Sequence, residues 1–151
     1  MESLNLIKND PWLAPYKEAI EGRNQYVVSK EKSLTRNGKQ TLSETASGYL
    51  YFGLHKTKDG WVFREWAPNA TAVYLIGTFN GWKKDDRYML KRLVNGIWEI
   101  VLAEDLLHHE DLFKLLVEWE GGAGERIPAW IRRVVQDENT KIFSAQVWNP
   151  A

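Results

Sequence analysis

Cysteine is absent from this 151-residue chain. Its absence excludes a disulfide scaffold, a thiol nucleophile and a Cys-ligated zinc site, and it is compatible with a reducing compartment. The sequence also has no surplus of charge, because its 20 Lys and Arg balance 20 Asp and Glu, and it contains no concentrated basic stripe. Nucleic acids and anionic membranes are therefore poor candidates for partners.

Long apolar runs are missing as well. No uninterrupted apolar stretch reaches the roughly 18 residues that a membrane-spanning helix requires. The start of the chain, MESLNLIKNDPW, has no basic segment followed by an apolar run, so it does not resemble a secretion signal. We therefore expect a cytoplasmic protein without a membrane segment, built as one ordinary domain with an appendage.

Tryptophan, in contrast, is abundant, with eight residues. An indole combines a broad apolar face with a polar N–H. A pyranose ring has the same division, with C–H groups on its faces and hydroxyls at its rim, so an aromatic plate beside hydrogen-bonding side chains suits a sugar. Large aromatic residues are usually buried, however, and core packing is the ordinary role of most of them.

The first region, residues 1–47, is predicted to be helical. Asp10 before Pro11 is typical of an N-cap followed by proline at the first helical position, and Pro15 is suited to opening a further helix. Residues 16–34 contain no proline and one glycine, which favours one longer helix.

The end of this region carries two further signals. Arg36-Asn37-Gly38 is typical of a helix stop, and Thr41-Leu42-Ser43-Glu44 has the spacing of a capping box for a short third helix. The polar character of the region, with few apolar stripes, indicates helices that depend on a larger partner for stability.

From residue 49 the apolar residues repeat with a period of two, which predicts strands. Lys58-Asp59-Gly60 is suited to a hairpin turn between the first two strands. No helical period separates the strands, so the region is predicted to be a small all-β sandwich. The predicted strands are residues 49–55, 61–66, 72–76, 97–102, 113–119 and 141–147.

Alternation assigns the tryptophans of these strands to faces. Trp119 shares a face with Phe113, which predicts that it is buried, and Trp98 alternates with apolar residues in the same way. Lys114 lies on the opposite face and is expected to point to solvent or a partner. Trp66 shares its face with a charged neighbour and precedes Ala67-Pro68, where the strand must stop, so an exposed or interface role is expected.

Trp82 closes GTFNGW, residues 77–82, directly after a predicted strand. Asn80-Gly81 is suited to a tight turn, and a strongly charged segment follows the indole. A tryptophan in this position either caps the end of the sandwich or offers its face to a ligand. The residues alone do not decide between the two roles.

Catalytic and metal sites have weaker support. The acidic pairs at residues 85–86, 104–105, 110–111 and 137–138 lie in predicted turns, where solvated surface is the usual explanation. His108 and His109 would point to opposite faces of a strand, and no third ligand is spaced to form a metal site with them. The stretch EGGAG at residues 120–124 lacks the Lys-Ser/Thr of a phosphate loop and is predicted to be a hairpin turn. We predict no metal and no cofactor.

The segment FREWAPNATAVYLIGTFNGW, residues 63–82, resembles the carbohydrate-binding module that precedes the catalytic barrel in α-glucan branching enzymes and recurs in the β subunit of the AMP-activated kinase. Two further motifs of that module are present, GIWE at residues 96–99 and a K-x-x-V strand at residues 114–117. Around them, the sequence is similar to glycogen and starch branching enzymes of the eukaryotic-like type at DPWLAPY (10–16), SGYLYFGLH (47–55), RIPAW (126–130) and VWNP (147–150).

This resemblance implies an immunoglobulin-like (early-set) β-sandwich, residues 48–151, preceded by a short N-terminal helical segment, residues 1–47. It implies α-1,4-glucan, such as glycogen or malto-oligosaccharides, as the ligand. It further implies that Trp82 stacks on glucose and that Lys114 contacts sugar hydroxyls. Trp66 and Pro68 match positions near which branching enzymes hold glucan at the seam with the barrel, and Asn80 matches a turn former within reach of sugar.

One departure from the kinase-type pattern concerns the second sugar plate. That module has another stacking tryptophan on the loop that here reads EGGAGER, residues 120–126. Without it, weaker glucan binding is expected.

The branching reaction requires two carboxyl groups about 5–5.5 Å apart in a barrel, and the sequence has no alternating βα pattern for one. The resemblance therefore implies a fragment of a longer branching enzyme, whose partner in the full chain is its own catalytic barrel. Two alternatives remain: a structural clamp that packs on the barrel with little glucan affinity, and a regulatory glycogen-binding subunit.

Overall fold

The computed structural model describes residues 5–150. The chain divides into two compact units, the first running to Ser47 and the second beginning at Gly48. The first is helical and the second is built mainly from strands.

In the helical unit, the expected N-cap is present, since the Asp10 carboxylate accepts a hydrogen bond from the Trp12 backbone N–H at 3.0 Å. The turns that follow are a 3₁₀ helix, and Pro15 lies inside it rather than at the start of a new helix. The longer predicted helix is confirmed, beginning one residue later than expected. The helices are α1 (Leu6–Asn9), the 3₁₀ segment Pro11–Tyr16, α2 (Lys17–Leu34) and α3 (Leu42–Thr45).

The predicted helix stop and capping box are both confirmed. Arg36, Asn37 and Gly38 have positive φ angles, so the backbone turns away from the axis of α2. Thr41 and Glu44 form the reciprocal capping box at α3. Helix α2 has no buried side chain among the residues that the structure describes, as expected for a helix with a weak apolar stripe. None of the helices in this part of the chain is long and apolar enough to cross a membrane.

The second unit contains two antiparallel sheets. The first has the strand order β1-β2-β5-β4, and the second has the order β3-β6-β9-β8 with β7 paired to β6. The predicted all-β sandwich is therefore confirmed. The strands are β1 (Gly53–Thr57), β2 (Gly60–Trp66), β3 (Ala70–Gly77), β4 (Lys91–Arg92), β5 (Ile97–Leu102), β6 (Leu112–Trp119), β7 (Gly122–Arg126), β8 (Val134–Gln136) and β9 (Phe143–Gln146).

The core lies between the two sheets, and its members alternate along β2 and β5, as a half-buried sheet requires, whereas consecutive residues of β3 are buried. Phe63 from the first sheet meets Phe113 from the second edge to face, with ring centroids 6.1 Å apart. Trp98 is 2% exposed, which confirms its predicted place in the core, and its indole N–H donates to the carbonyl of Ala67. The other fully buried large side chains are Leu75, Leu90, Leu115, Val73 and Val147.

Three strands have no counterpart in the sequence prediction: β4, β7 and β8. Strand β7 is rich in glycine, which is depleted in strands, and it forms because the β6 edge offers unpaired backbone groups. The EGGAG stretch thus contains the predicted hairpin turn and also the first residues of β7. Strand β1 begins at Gly53 instead of residue 49, because residues 48–50 form a 3₁₀ turn.

Candidate functional site

The five residues predicted to contact sugar lie at two separate places on the sandwich. Strands β3 and β6 pair with Gly77 opposite Phe113 at one end and Ala70 opposite Trp119 at the other. Asn80, Trp82 and Lys114 lie at the first end, and Trp66 and Pro68 at the second. On β6, the six residue steps from Phe113 to Trp119, at about 3.3 Å each, separate the ends by roughly 20 Å, so one short sugar segment cannot contact both groups.

The turn after β3 is built by Asn80. Its side-chain oxygen accepts from the Gly77 backbone N–H at 3.0 Å, and its amide nitrogen donates to the carbonyls of Leu75 and Lys83 at 3.3 and 3.0 Å. Both amide hydrogens are therefore engaged in the turn. Asn80 is a turn former, as predicted, and its role at the site is to position the residue that ends the turn.

Trp82 ends this turn in an unusual backbone conformation. Its φ is 62°, following Gly81 at 64°, and its N–H donates to the Gly77 carbonyl at 2.9 Å. Left-handed geometry costs a non-glycine residue about 1–2 kcal/mol, and a bulky residue seldom adopts it. The indole is 38% exposed. The fold thus holds a large aromatic residue in a costly conformation that leaves part of its surface open to water.

Lys114 is largely buried, so of the two roles that the sequence left open, pointing to solvent or to a partner, the first is wrong. The residue is 9% exposed, because the Trp82 ring and the neighbouring strand β7 cover it. Its Nζ lies 2.9 Å from a carboxylate oxygen of Glu125 and 5.7 Å from the centroid of the Trp82 ring. The second distance is within the range of a cation–π contact. Lys114 therefore links the Trp82 indole to β7.

These side chains form one end of an open groove, which we call the Trp82 groove. It has a volume of about 320 Å³, within the few hundred Å³ usual for ligand sites. The loop between β8 and β9 supplies the opposite wall, which the sequence reasoning missed. The residues that line the groove are Trp82, Leu112, Lys114, Glu125, Asp137, Thr140, Ile142 and Ser144.

The far wall is held by an Asx turn. Asp137 accepts at one carboxylate oxygen from the Thr140 backbone N–H at 2.7 Å and from the Thr140 hydroxyl at 2.9 Å. The backbone hydrogen bond, followed by the hydroxyl, lowers the pKa of Asp137 below its ordinary value. The D-E-N-T sequence at residues 137–140 was a signal for this turn, but it gave no indication that the turn faces Trp82.

At the position where the kinase-type module has its second stacking tryptophan, this chain has no aromatic residue. Residues 120–126 form the turn and strand β7, and from this strand Glu125 rather than an aromatic ring reaches the groove. The groove therefore offers one indole, one ion pair and a wall of mixed polarity.

At the other end of β3, Trp66 is 58% exposed, which confirms the predicted exposure, and its indole N–H donates to the carbonyl of Asn95 at 3.0 Å. Pro68 packs so closely on Gly96, whose φ is 75°, that a Cβ there would lie 2.6 Å from the Pro68 Cα. Beside them is a shallow apolar hollow of about 230 Å³ that Pro68 and Trp119 help to line. Trp119 is thus only partly buried, which corrects its assignment to the core.

Glu65, within the same EWAP motif, is buried at 6% exposure. Its two carboxylate oxygens accept from the backbone N–H groups of Trp66 and Ala129, at 3.0 and 2.9 Å. Burial raises the pKa of Glu65, and the two hydrogen bonds partly offset that rise. This carboxylate fastens the RIPAW segment to strand β2.

Across residues 5–150, no group of three His, Asp or Glu side chains is arranged to hold a metal ion. Asp85, from one of the acidic pairs, is engaged by the neighbouring Arg87 through its carboxylate. The side chains at both ends of the sandwich offer stacking surfaces and hydrogen bonds, which suit binding.

Residues 51–131 match the family of carbohydrate-binding module 48, the isoamylase N-terminal domain. A 1,4-alpha-glucan-branching enzyme of Dictyostelium discoideum is 37% identical over 156 aligned residues, covering 99% of this chain and 23% of that protein. A 1,4-alpha-glucan-branching enzyme of Solanum tuberosum is 32% identical, covering 99% of this chain and 18% of that protein. The chain therefore spans about a fifth of the length of these relatives.

Among solved structures, the fold is similar to part of a pullulanase from Paenibacillus barengoltzii in complex with maltohexaose and alpha-cyclodextrin, with a TM-score of 0.51 and 18% identity. That similarity covers 65% of this chain and 14% of the pullulanase. A pullulanase from Anoxybacillus sp. LM18-11 complexed with maltotetraose gives a TM-score of 0.51 at 20% identity, covering 66% and 14%. The fold is thus that of a sandwich found in larger proteins. Because the family match covers more than half of the 151 residues, the chain belongs to the carbohydrate-binding module 48 family.

Proposed function

We propose that this chain is the α-glucan-binding module of a 1,4-alpha-glucan-branching enzyme and that the Trp82 groove holds the glucan. The ligand would be the α-1,4-linked chain of glycogen or a malto-oligosaccharide. The proposal combines the geometry of the groove with the family membership and with the names of the relatives.

The observation that carries this proposal is the conformation of Trp82. A residue held in left-handed geometry at φ 62° would be better replaced by glycine or asparagine if it only had to make a turn. Costly backbone conformations that persist are concentrated at functional sites. An exposed indole in such a position fits a plate whose orientation matters more than its contribution to stability.

The Lys114–Glu125 pair adds hydrogen-bonding capacity beside this plate. Lys114 has three donor hydrogens and Glu125 two acceptor oxygens, and the single 2.9 Å contact between them uses only part of that capacity. A sugar stacked on Trp82 would present its rim hydroxyls to these groups. The groove is open to solvent, which leaves room for a longer glucan chain to extend beyond it.

We propose that, in the parent enzyme, this module positions glucan for a catalytic barrel that lies in the other four fifths of that enzyme's sequence. That enzyme would transfer α-1,4 segments to form α-1,6 branches in glycogen biosynthesis. The module itself would contribute binding and no bond-breaking step.

Affinity electrophoresis in gels containing glycogen tests the groove. Retardation of the chain by glycogen is expected, and Trp82→Ala should weaken binding by at least about tenfold, since anchoring tryptophans commonly contribute 2 kcal/mol or more. Trp66→Ala is the matched control, because Trp66 is another exposed tryptophan, at 58%, on the far end of the sandwich. Circular dichroism spectra of both variants should match that of the wild type, which tests that they fold.

Equal mobility of the wild-type chain with and without glycogen would overturn the proposal. Loss of retardation in Trp66→Ala but not in Trp82→Ala would place glucan at the Trp66 end instead.

The Trp66 end supports a second candidate function, a structural clamp on the catalytic barrel. Trp66 remains 58% exposed while its N–H is already bonded to Asn95, and an apolar hollow lies beside Pro68. An exposed apolar surface of this kind suits contact with another domain. Trp66→Ala should then lower the melting temperature of the full-length enzyme more than that of the 151-residue chain, and equal effects would contradict the clamp.

A further inference from the structure

A second cavity lies away from both candidate sites, between the segment before β1 and the segment after β7. It encloses about 180 Å³ and is less open than the Trp82 groove. We call it the Trp130 pocket. Its walls include the aromatic residues Tyr49, Phe52, Trp61, Trp130 and Trp148, with His55 and Arg132 among them.

The aromatic wall of the Trp130 pocket is rigidly placed. Phe52 and Trp130 stack with ring centroids 6.0 Å apart and planes 18° from parallel. Gly53 has a φ of 87°, and a Cβ there would lie 2.1 Å from the Trp130 carbonyl oxygen, so the two backbones touch. The Glu65 carboxylate holds the adjacent Ala129 N–H. The wall is therefore fixed before any ligand arrives, which reduces the entropy cost of binding.

Polar groups at the pocket remain available to a ligand. His55 uses Nε2 in a 2.8 Å contact with the Phe52 carbonyl, so a neutral ring carries its proton there and leaves Nδ1 as an acceptor. The Arg132 side chain makes no hydrogen bond or ion pair with any residue from 5 to 150. Trp148 is 40% exposed and is covered on one face by Arg133, whose guanidinium lies 4.2 Å from the ring centroid.

We propose that the Trp130 pocket is a second carbohydrate site, which takes one neutral hexose ring at the end of an α-glucan chain. Aromatic walls with one donor group and one acceptor match a ring that has apolar faces and a hydroxyl rim. The cavity is smaller than the few hundred Å³ of a site for larger ligands, so it fits a single terminal residue, whereas the open Trp82 groove fits a chain in passage. The choice of a glucosyl residue rests on the proposed function.

Two sites of different shape on one module would act together on a polymer. Binding of a chain end in the pocket makes contact at the groove intramolecular for the same glycogen particle, and the overall affinity exceeds that of either site. A protein surface as the occupant is less well supported, because protein interfaces need about 800 Å² per partner, and the pocket is a small concavity.

The eight indole N–H groups allow each site to be observed separately in the whole chain. In ¹H–¹⁵N correlation spectra, with the indole signals assigned from single Trp→Phe variants, maltose is titrated into the wild type. We expect saturable chemical-shift changes of the Trp130 and Trp148 indole signals. These shifts should persist in Trp82→Ala, and Arg132→Ala should weaken the corresponding affinity by about tenfold, as for the loss of a charged hydrogen bond.

Arg87→Ala is the matched control, since Arg87 is an exposed arginine that pairs with Asp85 beside β3. It should leave the Trp130 titration unchanged. Unshifted Trp130 and Trp148 signals at maltose concentrations that saturate Trp82 would overturn the second site and leave the proposed function intact. Shifts at Trp130 without any at Trp82 would overturn the Trp82 groove and support the pocket. Equal affinities of the wild type and Arg132→Ala would exclude the arginine and contradict the proposed recognition.

Discussion

The Lys114–Glu125 pair permits stability and binding to be separated, because it is buried on one side only. The Lys114 side chain is 11% exposed, whereas that of Glu125 is 52% exposed. Glu125→Gln leaves a positive charge in a largely buried position without its counter-charge. Lys114→Met removes that charge and keeps a side chain of similar length and volume at the same position.

The two substitutions should differ in stability. Loss of one partner from a buried charged hydrogen bond costs about 1–3 kcal/mol, and the half-exposed Glu125 places this case at the lower end, since water reaches the pair. We expect Glu125→Gln to lower the free energy of unfolding by about 1–2 kcal/mol. Lys114→Met should lie within about 1 kcal/mol of the wild type, because replacing a buried ion by an apolar isostere is often neutral.

Urea unfolding followed by tryptophan fluorescence measures both values, and affinity electrophoresis in glycogen gels measures binding. Lys114→Met should fold normally and bind glycogen more weakly, since the donor beside Trp82 is lost. The double variant Lys114→Met/Glu125→Gln should be close in stability to Lys114→Met, because once the buried lysine charge is removed, the loss of the glutamate charge leaves no buried charge unpaired. A Lys114→Met chain that is less stable than Glu125→Gln, or that binds glycogen as tightly as the wild type, would refute this reasoning.

Three further predictions concern backbone and pH. Because residue 82 has left-handed backbone geometry, Trp82→Gly should be about 1 kcal/mol more stable than Trp82→Ala in urea unfolding. At an ordinary position the alanine variant would be the more stable of the two, and that result would contradict the left-handed φ of residue 82. Gly53→Ala should lower the free energy of unfolding by at least about 2 kcal/mol, because the new Cβ would collide with the Trp130 carbonyl. Gly22→Ala is the control: it lies within α2 with open space around it, and it should raise the free energy of unfolding by about 0.5–1 kcal/mol. Urea unfolding measures both changes. Burial raises the folded-state pKa of Glu65 above its ordinary value of 4.5, so the contribution of this group to stability is full below pH 4.5 and is lost as the pH rises through the folded-state pKa. Over that pH range, the free energy of unfolding should therefore fall less steeply in Glu65→Gln than in the wild type. Parallel curves for the two proteins would argue against the raised pKa.

Local sequence rules were sufficient for most of the fold. The capping box at Thr41 and Glu44 and the helix stop at residues 36–38 depend on neighbours within four positions, and both are present. Strand β5 has the predicted bounds. Alternation also placed Trp98 in the core and left Trp66 exposed. These features need only the period of the apolar residues and the chemistry of the turns.

The burial of Lys114 could not be predicted from the local sequence. Alternation assigned it correctly to the face opposite Phe113, but a residue on the outer face is exposed only if nothing covers that face. Here β7 adds a strand at the β6 edge and brings Glu125 over Lys114, while the turn after β3 places Trp82 above it. The glycine-rich sequence of β7 has low strand propensity, so the covering strand was itself unexpected.

The separation of Trp82 from Trp66 sets a geometric limit on the role of the module. Both residues flank strand β3, yet its length places them roughly 20 Å apart, so a malto-oligosaccharide of a few residues can occupy only one of the two ends. A glycogen particle, however, presents many chains, and under the proposed function it would engage the Trp82 groove while the Trp66 end contacts another part of the parent enzyme. The two proposed functions, glucan binding and docking on a barrel, are therefore compatible in one sandwich. In this proposal each function depends on a different tryptophan, so single substitutions at Trp82 and Trp66 should impair one function without the other.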